Sequence, residues 1–236
     1  MAVNRDIQFS FKESVEPVYR QSVGLLVKSD PGGRPNLGNL EKARARIEAL
    51  QVAELDNFFR EACLDGQAVL LDEVVDKQNP TTAIVYPILL EDRLEVIVKV
   101  PGQTALQHHG IAISDSQVEG VLTRLRANLP LLAETLAIQR DAKTVYDWLI
   151  KPFETAIADS KVDTLVFVLD GALRNVPMGV LYDGQQYLVE KYALGVSLGL
   201  QLQAPGDRPG KPECTRSGPD RSTGGLPGPL FLPARH

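Results

Sequence analysis

The stretch LVFVLDGALRNVPMGVLYDGQQYLVEKY, residues 165–192, decides what kind of sheet the chain builds. It opens with an apolar run that shows no polar alternation, which predicts a strand covered on both faces, as in a parallel sheet. Asp170 and Gly171 then predict a sharp turn. Asp183-Gly184 lies between two apolar segments and predicts a tight hairpin turn that leads into another strand.

A helix is predicted immediately before this strand. The segment AKTVYDWLIKPFETAIA, residues 142–158, has apolar side chains at helical spacing. Pro152 either kinks the helix or begins a new segment, because proline lacks an amide donor. A helix that leads into a buried strand is half of an α/β unit. The side chains on its apolar face are Val145, Tyr146, Leu149, Phe153 and Ile157.

Further upstream, TAIVYPILL and RLEVIVKV predict an antiparallel hairpin over residues 82–100. Alternation in the second run predicts that the hairpin is half buried. Pro87 predicts an edge or a bulge in the first strand. HHGIAIS, residues 108–114, predicts a third strand, and the Ser114 and Gln117 spacing predicts a capping box that begins a helix. The buried face of that helix is expected to carry Val118, Val121, Leu122 and Leu125.

Two more helices are predicted near the N-terminus. Residues 13–28 form an amphipathic pattern that ends before the breaker-rich SDPGGRPN, and Asn36 or Asn39 caps the second helix. Its apolar stripe is Leu40, Ala43, Ile47 and Leu50, extended by Leu55, Phe58, Phe59 and Ala62. The default interpretation of its charges is a solvated face, not a nucleic-acid patch; these are Lys42, Arg44, Arg46 and Glu48.

Composition narrows the class of protein. The 236 residues carry a net charge of −5, which offers no electrostatic reason to expect nucleic acid as a partner. No apolar stretch has the length that crossing a bilayer requires, and the first residues lack the apolar core of a secretory signal. The two cysteines, Cys63 and Cys214, lie far apart, which favours a reducing, cytoplasmic compartment.

From residue 204 the sequence becomes rich in proline and glycine and loses its periodicity. Such a segment cannot bury enough apolar surface to offset its ordering entropy, so we expect disorder there. The predicted organisation is therefore a helical linker segment over residues 1–66, an α/β domain over residues 80–203, and a disordered tail over residues 204–236.

Three stretches resemble the CHAT domain, a caspase- and separase-like domain common in bacterial proteins that also carry tetratricopeptide repeats. TLVFVLDGALRNVPMGVLYDGQQYLVEKYAL resembles the opening of the domain, and YPILLEDRLEVIVKVPG resembles the hairpin before it. LEKARARIEALQVAELDNFFREACL is similar to the helix that links the repeats to the domain. The resemblance covers residues 12–203 and implies the first part of a caspase-like sheet.

In complete members, the family implies a cysteine-peptidase dyad of a His and a Cys, both downstream of the DGALRNVP region. Neither residue can be carried over, because after Leu202 the sequence departs from the family's pattern. A premature stop, a gene fragment or a shifted reading frame would each produce such an ending. The resemblance also implies protein partners and regulated proteolysis in the complete family.

The remaining candidates for a dyad are weak. His108 and His109 are adjacent on a strand and point to opposite faces, so at most one joins a given site. Cys63 lies on the apolar side of a helix, where a free cysteine is usually a small core residue. Cys214 and His236 lie in the predicted tail. No catalytic residue is therefore assigned.

No metal or cofactor is expected either. The adjacent histidines lack the spacing of a zinc site, and DGALRNVPMG lacks the glycines and the Lys-Ser/Thr pair of a phosphate loop.

Asp170 is the most informative single residue, because it follows a buried strand at a place where α/β folds often build their sites. It is either a loop residue near a peptidase cleft or, the favoured alternative, a turn residue whose carboxylate binds nearby amides. Arg174 and Asn175 would stabilise the same turn, and Pro177 would end any short helix after it.

These observations predict an α/β protein that is a non-catalytic, N-terminal part of a CHAT-type protein with a role in protein contacts. The alternative is an active cysteine peptidase whose dyad comes from residues not recognised here or from another chain. A third possibility is a fragment that misfolds because its sheet lacks partner strands. The sequence indicates no oligomeric state.

Overall fold

The chain folds around a five-stranded mixed sheet with helices on both faces. The computed structural model describes residues 11, 13–28, 35–59, 68–70, 79–131, 135–197 and 201–203. Its strands are β2 (Thr82–Leu89), β3 (Leu94–Lys99), β4 (Gln107–Ile111), β5 (Thr164–Val168) and β6 (Ala193–Ser197). Their order across the sheet is β4-β3-β2-β5-β6. The predicted α/β class is confirmed.

The predicted hairpin forms but is buried on both faces. Strands β2 and β3 pair antiparallel from Ile84↔Lys99 to Leu89↔Leu94, and every residue of both strands is buried. The expectation of a half-buried hairpin is wrong, because helices cover both faces of the sheet. The polar residues of β3 are paired within the interior: the ammonium of Lys99 donates to Gln103 O at 2.9 Å, and Glu95 is ion-paired.

Pro87 lies in the central strand of the sheet, and the register with β3 passes it without a bulge. The expectation of an edge or a bulge is therefore wrong, and the proline is tolerated because the parallel ladder between β2 and β5 ends at Val85↔Phe167. The missing proline amide therefore falls beyond the last paired residue on the β5 side, where it removes no ladder hydrogen bond.

One face of the sheet is covered by two N-terminal helices, α1 (Glu16–Leu26) and α2 (Leu37–Phe59). Asn36 is the cap of α2, because its Oδ1 accepts from Gly38 N at 2.8 Å. The predicted stripe of α2 is confirmed where side chains are described: Leu40, Ala43, Ile47 and Leu50. It packs with residues from both helices and the sheet, among them Val23, Ile84, Tyr86, Ile88 and Ile97. The expectation of a fully solvated charged face is wrong for Arg44, which is buried with its guanidinium 5.3 Å from the centre of the Tyr86 ring.

The opposite face is covered by helices α3 (Asp115–Asn128), α4 (Thr135–Leu149) and α5 (Glu154–Asp159). The predicted capping box is confirmed: Ser114 Oγ accepts from Gln117 N, and the Gln117 side chain accepts from Ser114 N. Pro152 begins a new segment, the short 3-10 helix Lys151–Phe153, instead of kinking α4. The apolar residues predicted for the α4–α5 region all join the core on this face: Val145, Tyr146, Leu149, Phe153 and Ile157.

The segment after β5 differs from the prediction. Two 3-10 turns, Gly171–Asn175 and Met178–Val180, follow the strand, and Val176, just before Pro177, ends the first. The Asp183-Gly184 turn forms, with Gly184 at φ +110°, but the predicted hairpin is reduced to one bridge between Tyr182 and Tyr187. The chain then forms helix α6 (Leu188–Lys191) and enters β6, which is parallel to β5.

A separate antiparallel pair joins β1 (Ala68–Leu70) to β7 (Gln201–Gln203). The predicted tail, residues 204–236, lies outside the described residues, as do Leu55, Phe58, Phe59 and Ala62 as side chains. The proposed division into linker, domain and tail stays a prediction.

We predict that Leu165→Ala lowers the free energy of unfolding by about 2–5 kcal/mol, because Leu165 is fully buried in β5 and its truncation leaves a cavity. Leu136→Ala makes the same chemical change at a side chain that is 82% exposed and should change stability by less than about 0.5 kcal/mol. Urea unfolding monitored by circular dichroism measures both. Equal losses in the two variants would contradict the placement of β5 in the core.

The Asp183 turn predicts an acid-sensitive contribution to stability. Burial alone would raise the pKa of Asp183, but the amides of Gln186 and Gln185 and the ammonium of Lys191 together lower it below its ordinary value. These three groups donate to the carboxylate at 2.9, 2.7 and 3.0 Å. A depressed folded-state pKa stabilises the fold above the ordinary Asp pKa of about 3.9, and this stability is lost as pH falls through the depressed value.

We therefore expect Asp183→Asn to cost about 1 kcal/mol at pH 7 and progressively less below about pH 4. Urea titrations of both proteins at several pH values between 3 and 7 check this. Asp159→Asn, at an exposed position, is the control and should cost little at any pH in this range. A gap between wild type and Asp183→Asn that widens toward acid would refute the assignment.

Candidate functional site

The carboxyl end of β5 carries the strongest concentration of polar contacts around a buried carboxylate. Asp170 lies two residues after Val168, the last residue of the strand, and is 1% exposed. Its Oδ2 accepts from Leu89 N, at the end of the neighbouring strand β2, at 3.1 Å. Gly171 comes next with φ +53°, a backbone conformation that glycine adopts without strain. The chain can therefore turn sharply while Asp170 points back into the protein.

Arg20 of α1 neutralises this carboxylate with a two-pronged contact. Its Nη1 donates to Asp170 Oδ2 at 2.7 Å and its Nη2 to Asp170 Oδ1 at 3.1 Å. Nη1 also donates to Leu89 O and Nε to Glu16 Oε1, both at 2.7 Å. Burial alone would lower the pKa of Arg20, but Asp170 and Glu16 more than offset this effect and raise it. Both oxygens of Asp170 are thus occupied by partners within the protein.

Helix α2 holds the same loop at two further points. From α2, Gln51 Nε2 donates to Leu169 O at 3.1 Å. From the loop itself, Arg174 Nε donates to the same carbonyl at 3.0 Å. Arg174 Nη1 also forms an ion pair with Glu54 Oε2 at 2.9 Å. The expected role of Arg174 as a stabiliser of the turn is confirmed, and it also joins the turn to α2. The loop after β5 is therefore tied to both N-terminal helices.

An open cleft of about 930 Å³ lies beside this ion pair. Its walls come from α1, from the ends of β2 and β5, and from the start of α3. The polar side chains that line it include Arg20, Arg93, Asp115, Glu119 and Asn175. Asn175, expected to stabilise the turn, lies on the wall of this cleft. Arg20 and Gly171 line the cleft, and both are next to Asp170, whose carboxylate oxygens are already bound.

The two strand histidines lie on the far side of the sheet, on β4, and point to opposite faces as expected. His108 Nε2 lies 2.7 Å from Oε2 of the buried Glu95, and Arg93 Nε donates to the other oxygen at 2.7 Å. Gly110 makes room for this carboxylate, because a Cβ there would lie 2.5 Å from Glu95 Oε2. His109 instead meets the edge of the Phe153 ring, with 6.5 Å between ring centres.

The two strand histidines and the Asp170 loop lie in different parts of the sheet. Strands β3 and β2 lie between the histidines and the Asp170 loop. Cys63, Cys214 and His236 lie outside the described residues, so their predicted roles stay predictions. Within the described ranges, no group of three or more His, Cys, Asp or Glu side chains is arranged to hold a metal ion.

The fold and this region define an α/β protein whose parallel strands β2, β5 and β6 direct their carboxyl ends toward an ion-paired loop. A family model for the CHAT domain matches residues 139–219. The match contains β5, the Asp170 loop and β6, so the resemblance to the CHAT family is confirmed for this part of the chain. The similarity suggests a caspase-like family.

The family match begins at residue 139, whereas the resemblance was expected from residue 12, and it ends at residue 219, whereas the resemblance was expected to end at residue 203. It covers less than half of the chain and leaves out the hairpin stretch at residues 86–102 and the helical stretch at residues 40–64. Their assignment to the family stays a prediction. The match also continues past residue 203 into the segment predicted as disordered. No curated protein matches the chain. Among the helices that the structure describes, none combines the length and apolar character needed to span a membrane.

Sequence reasoning identified Asp170 but missed Arg20. Arg20 and Asp170 are separated by 150 positions, and a single arginine on an amphipathic helix carries no signal of a distant partner. The nearby Glu16, at i−4, indicates at most a local helix pair. Nothing in the sequence indicates that Gln51 and Glu54 contact the loop after β5, because each is an ordinary polar residue on a helix.

We predict that Arg20→Met destabilises the protein by about 3 kcal/mol, because it leaves the buried Asp170 carboxylate without its cation. Arg126→Met, on an exposed turn of α3, is the matched control and should be nearly neutral. The double variant Arg20→Met/Asp170→Asn should recover part of the loss, since it removes the unpaired charge. Chemical denaturation of the four proteins measures this, and a neutral Arg20→Met would disprove the role of the ion pair.

Proposed function

We propose that this chain is a non-catalytic portion of a CHAT-type protein that works through contacts with other protein chains. It holds no dyad of its own under this proposal, and its sheet and helices present surfaces instead of a reaction centre. The CHAT match supports the family, and the geometry of the described residues supports the non-catalytic role.

The observation that carries this proposal is the state of Asp170. A carboxylate at the carboxyl end of a parallel strand stands where α/β proteins often place reactive groups. Here its two oxygens accept three hydrogen bonds, two from Arg20 and one from the Leu89 amide, and the side chain is 1% exposed. A group so occupied is suited to hold the loop in place and poorly suited to bind a substrate.

The placement of the histidines supports the same conclusion. A cysteine-peptidase dyad needs an imidazole within hydrogen-bond reach of a thiol. His108 is engaged by Glu95 on one face of β4, and His109 packs against Phe153 on the other. Two strands, β3 and β2, lie between both histidines and the strand that leads into the Asp170 loop. Neither imidazole is therefore positioned to act at the carboxyl ends of the parallel strands, where the Asp170 loop lies.

We also propose the setting that the resemblance implies, a bacterial cytoplasmic protein that is associated with tetratricopeptide repeats and binds protein partners. The two widely spaced cysteines support a reducing compartment. The net charge of −5 favours protein over nucleic acid as the partner.

A thiol-reactive peptide probe tests the non-catalytic role. We expect Cys63 and Cys214 to react at pH 7 no faster than an unactivated peptide thiol, because the proposal assigns neither thiol an imidazole partner that would lower its pKa. Intact-mass spectrometry over time measures the rate. Cys63→Ala and Cys214→Ala are matched variants that assign any labelling, and His108→Asn and His109→Asn report whether an imidazole assists it.

Rapid labelling that disappears in Cys63→Ala and slows in either histidine variant would establish the alternative, an active cysteine peptidase. The purified chain should also stay monodisperse and resist limited proteolysis over its described core. Dye binding with precipitation would instead indicate the misfolded fragment.

A further inference from the structure

Helices α3 and α4 meet around a buried carboxylate whose two partners are arginines. Asp141, on α4, is 2% exposed although it is charged. Arg140 Nε donates to its Oδ1 at 3.1 Å, and Arg124 Nε, from α3, lies 3.4 Å from its Oδ2. Because each oxygen of one carboxylate has its own arginine, the two guanidiniums are held next to each other across the helix pair.

Both arginines use only the Nε side of the guanidinium for this contact. The side chains of Arg124 and Arg140 are 55% and 67% exposed. Among the residues that the structure describes, no hydrogen-bond or ion-pair partner meets their terminal nitrogens, Nη1 and Nη2. A guanidinium carries five N–H donors in one plane, and the end formed by Nη1 and Nη2 holds four of them. Two such ends are therefore available at the surface, each with the fork geometry that matches an oxyanion.

The helix surface beside Arg124 is open. Gly120 lies one turn earlier on α3, and a Cβ there would meet one described side-chain atom within 4 Å, Arg124 Nη1 at 3.9 Å. That distance is an ordinary contact, so an alanine would fit, and alanine is the more stable residue inside a helix. Packing among the described residues thus does not require glycine here. Its effect is to leave bare helix surface next to the end of a guanidinium.

The outer face of α4 continues this positive charge. Positions 136, 140, 143 and 147 are spaced by three and four residues, so they share one face of the helix. Lys143 Nζ lies 2.9 Å and Lys151 Nζ 3.5 Å from the carboxylate of Asp147. With the two arginines, four cations thus share two carboxylates, in a chain whose net charge is −5. Leu136, one turn before Arg140, is 82% exposed. A partner that carries negative charge and apolar groups complements this surface.

We propose that the terminal nitrogens of Arg124 and Arg140 form a binding site for a phosphate monoester, carried on a phosphorylated serine or threonine of a partner protein. This inference rests on the proposed function, a role in protein contacts, and names the chemistry of the partner. The exposed Leu136 offers an apolar contact to the rest of the bound peptide. The net charge of −5 disfavours a membrane or a nucleic acid as the source of the phosphate, because either would bring many negative charges to the whole chain.

A phosphate group fits two guanidiniums better than a carboxylate does. A carboxylate has two oxygens in one plane, which a single guanidinium fork matches. A phosphate monoester has three terminal oxygens and a charge of about −1.5 to −2 at pH 7, so it accepts from two forks that come from different helices. The buried Asp141 holds both arginines in place before the ligand binds, which lowers the entropic cost of ordering them.

Fluorescence anisotropy of a labelled peptide tests the proposal on the full chain. The probe is a peptide with a central phosphoserine flanked on each side by Ala and Leu, and the comparison peptides carry Ser or Glu at the centre. We expect saturable binding of the phosphoserine peptide, at least about tenfold tighter than binding of the Glu peptide, because it forms more charge-assisted hydrogen bonds. Inorganic phosphate should compete with it, and chloride at the same ionic strength should not.

Arg124→Lys and Arg140→Lys isolate the contribution of the guanidinium ends. Each variant keeps a cation beside Asp141, so the fold is preserved, but an ammonium paired with that carboxylate has no second fork to offer. We expect each to weaken binding of the phosphoserine peptide at least about tenfold. Arg126→Lys is the matched control and should leave binding unchanged, because Arg126 is exposed and two positions from Arg124, on another face of α3. Thermal melting by circular dichroism checks that all three variants keep the stability of the wild type.

The absence of saturable binding of the phosphoserine peptide would overturn the proposal. So would equal binding of the Glu peptide, binding that survives both arginine variants, or binding that is lost equally in Arg126→Lys. Tighter binding to vesicles that contain phosphatidic acid than to the peptide would overturn the assignment of the phosphate to a protein partner. Each of these results leaves the non-catalytic role intact, because thiol reactivity alone tests that role. Conversely, phosphoserine binding that depends on Arg124 and Arg140, together with Cys63-dependent labelling, would keep the site and refute the non-catalytic role.

Discussion

A partly buried guanidinium paired with a fully buried carboxylate joins helix α1 to the end of a parallel strand. Arg20 binds both oxygens of Asp170 and the Leu89 carbonyl, while the Leu89 amide binds Asp170 in turn. Two strands and a helix thus share one small network. Since an unpaired charge at this depth is costly, the helix and the loop hold each other in place. The turn after β5, the cleft beside it and the layer formed by α1 all depend on this contact.

The same layer explains why the sheet tolerates so many buried polar groups. Helices α1 and α2 cover one face, and two of the charged side chains in this layer have partners there: Glu95 meets Arg93 and His108, and Arg44 lies over Tyr86. Buried polar groups are stable when they are satisfied and destabilising otherwise. The N-terminal helices therefore turn one face of the sheet into protein interior.

Local sequence signals performed well where a local interaction decides the structure. Short-range rules account for four features: the capping box at Ser114, the new segment at Pro152, the apolar stripe on α2, and the parallel strand β5. The failures share one cause. Alternation in residues 94–100 indicated a half-buried hairpin, and Asp183-Gly184 indicated a second one. In both cases, elements that are distant in the sequence changed the result. Helices cover the face of the first hairpin that was expected to be exposed to solvent. The segment after the Asp183-Gly184 turn pairs in parallel with β5, so only one bridge of the second hairpin remains.

The amino-acid sequence alone determined the α/β class, the order of the main elements, the resemblance to the CHAT domain and the importance of Asp170. Only the tertiary structure decided that Asp170 binds Arg20, that Glu95 engages His108, and that helices bury both faces of the β2–β3 hairpin. The physical reason is range. Periodicity and capping act over a few residues, whereas an ion pair across 150 positions exists only once the whole sheet has assembled.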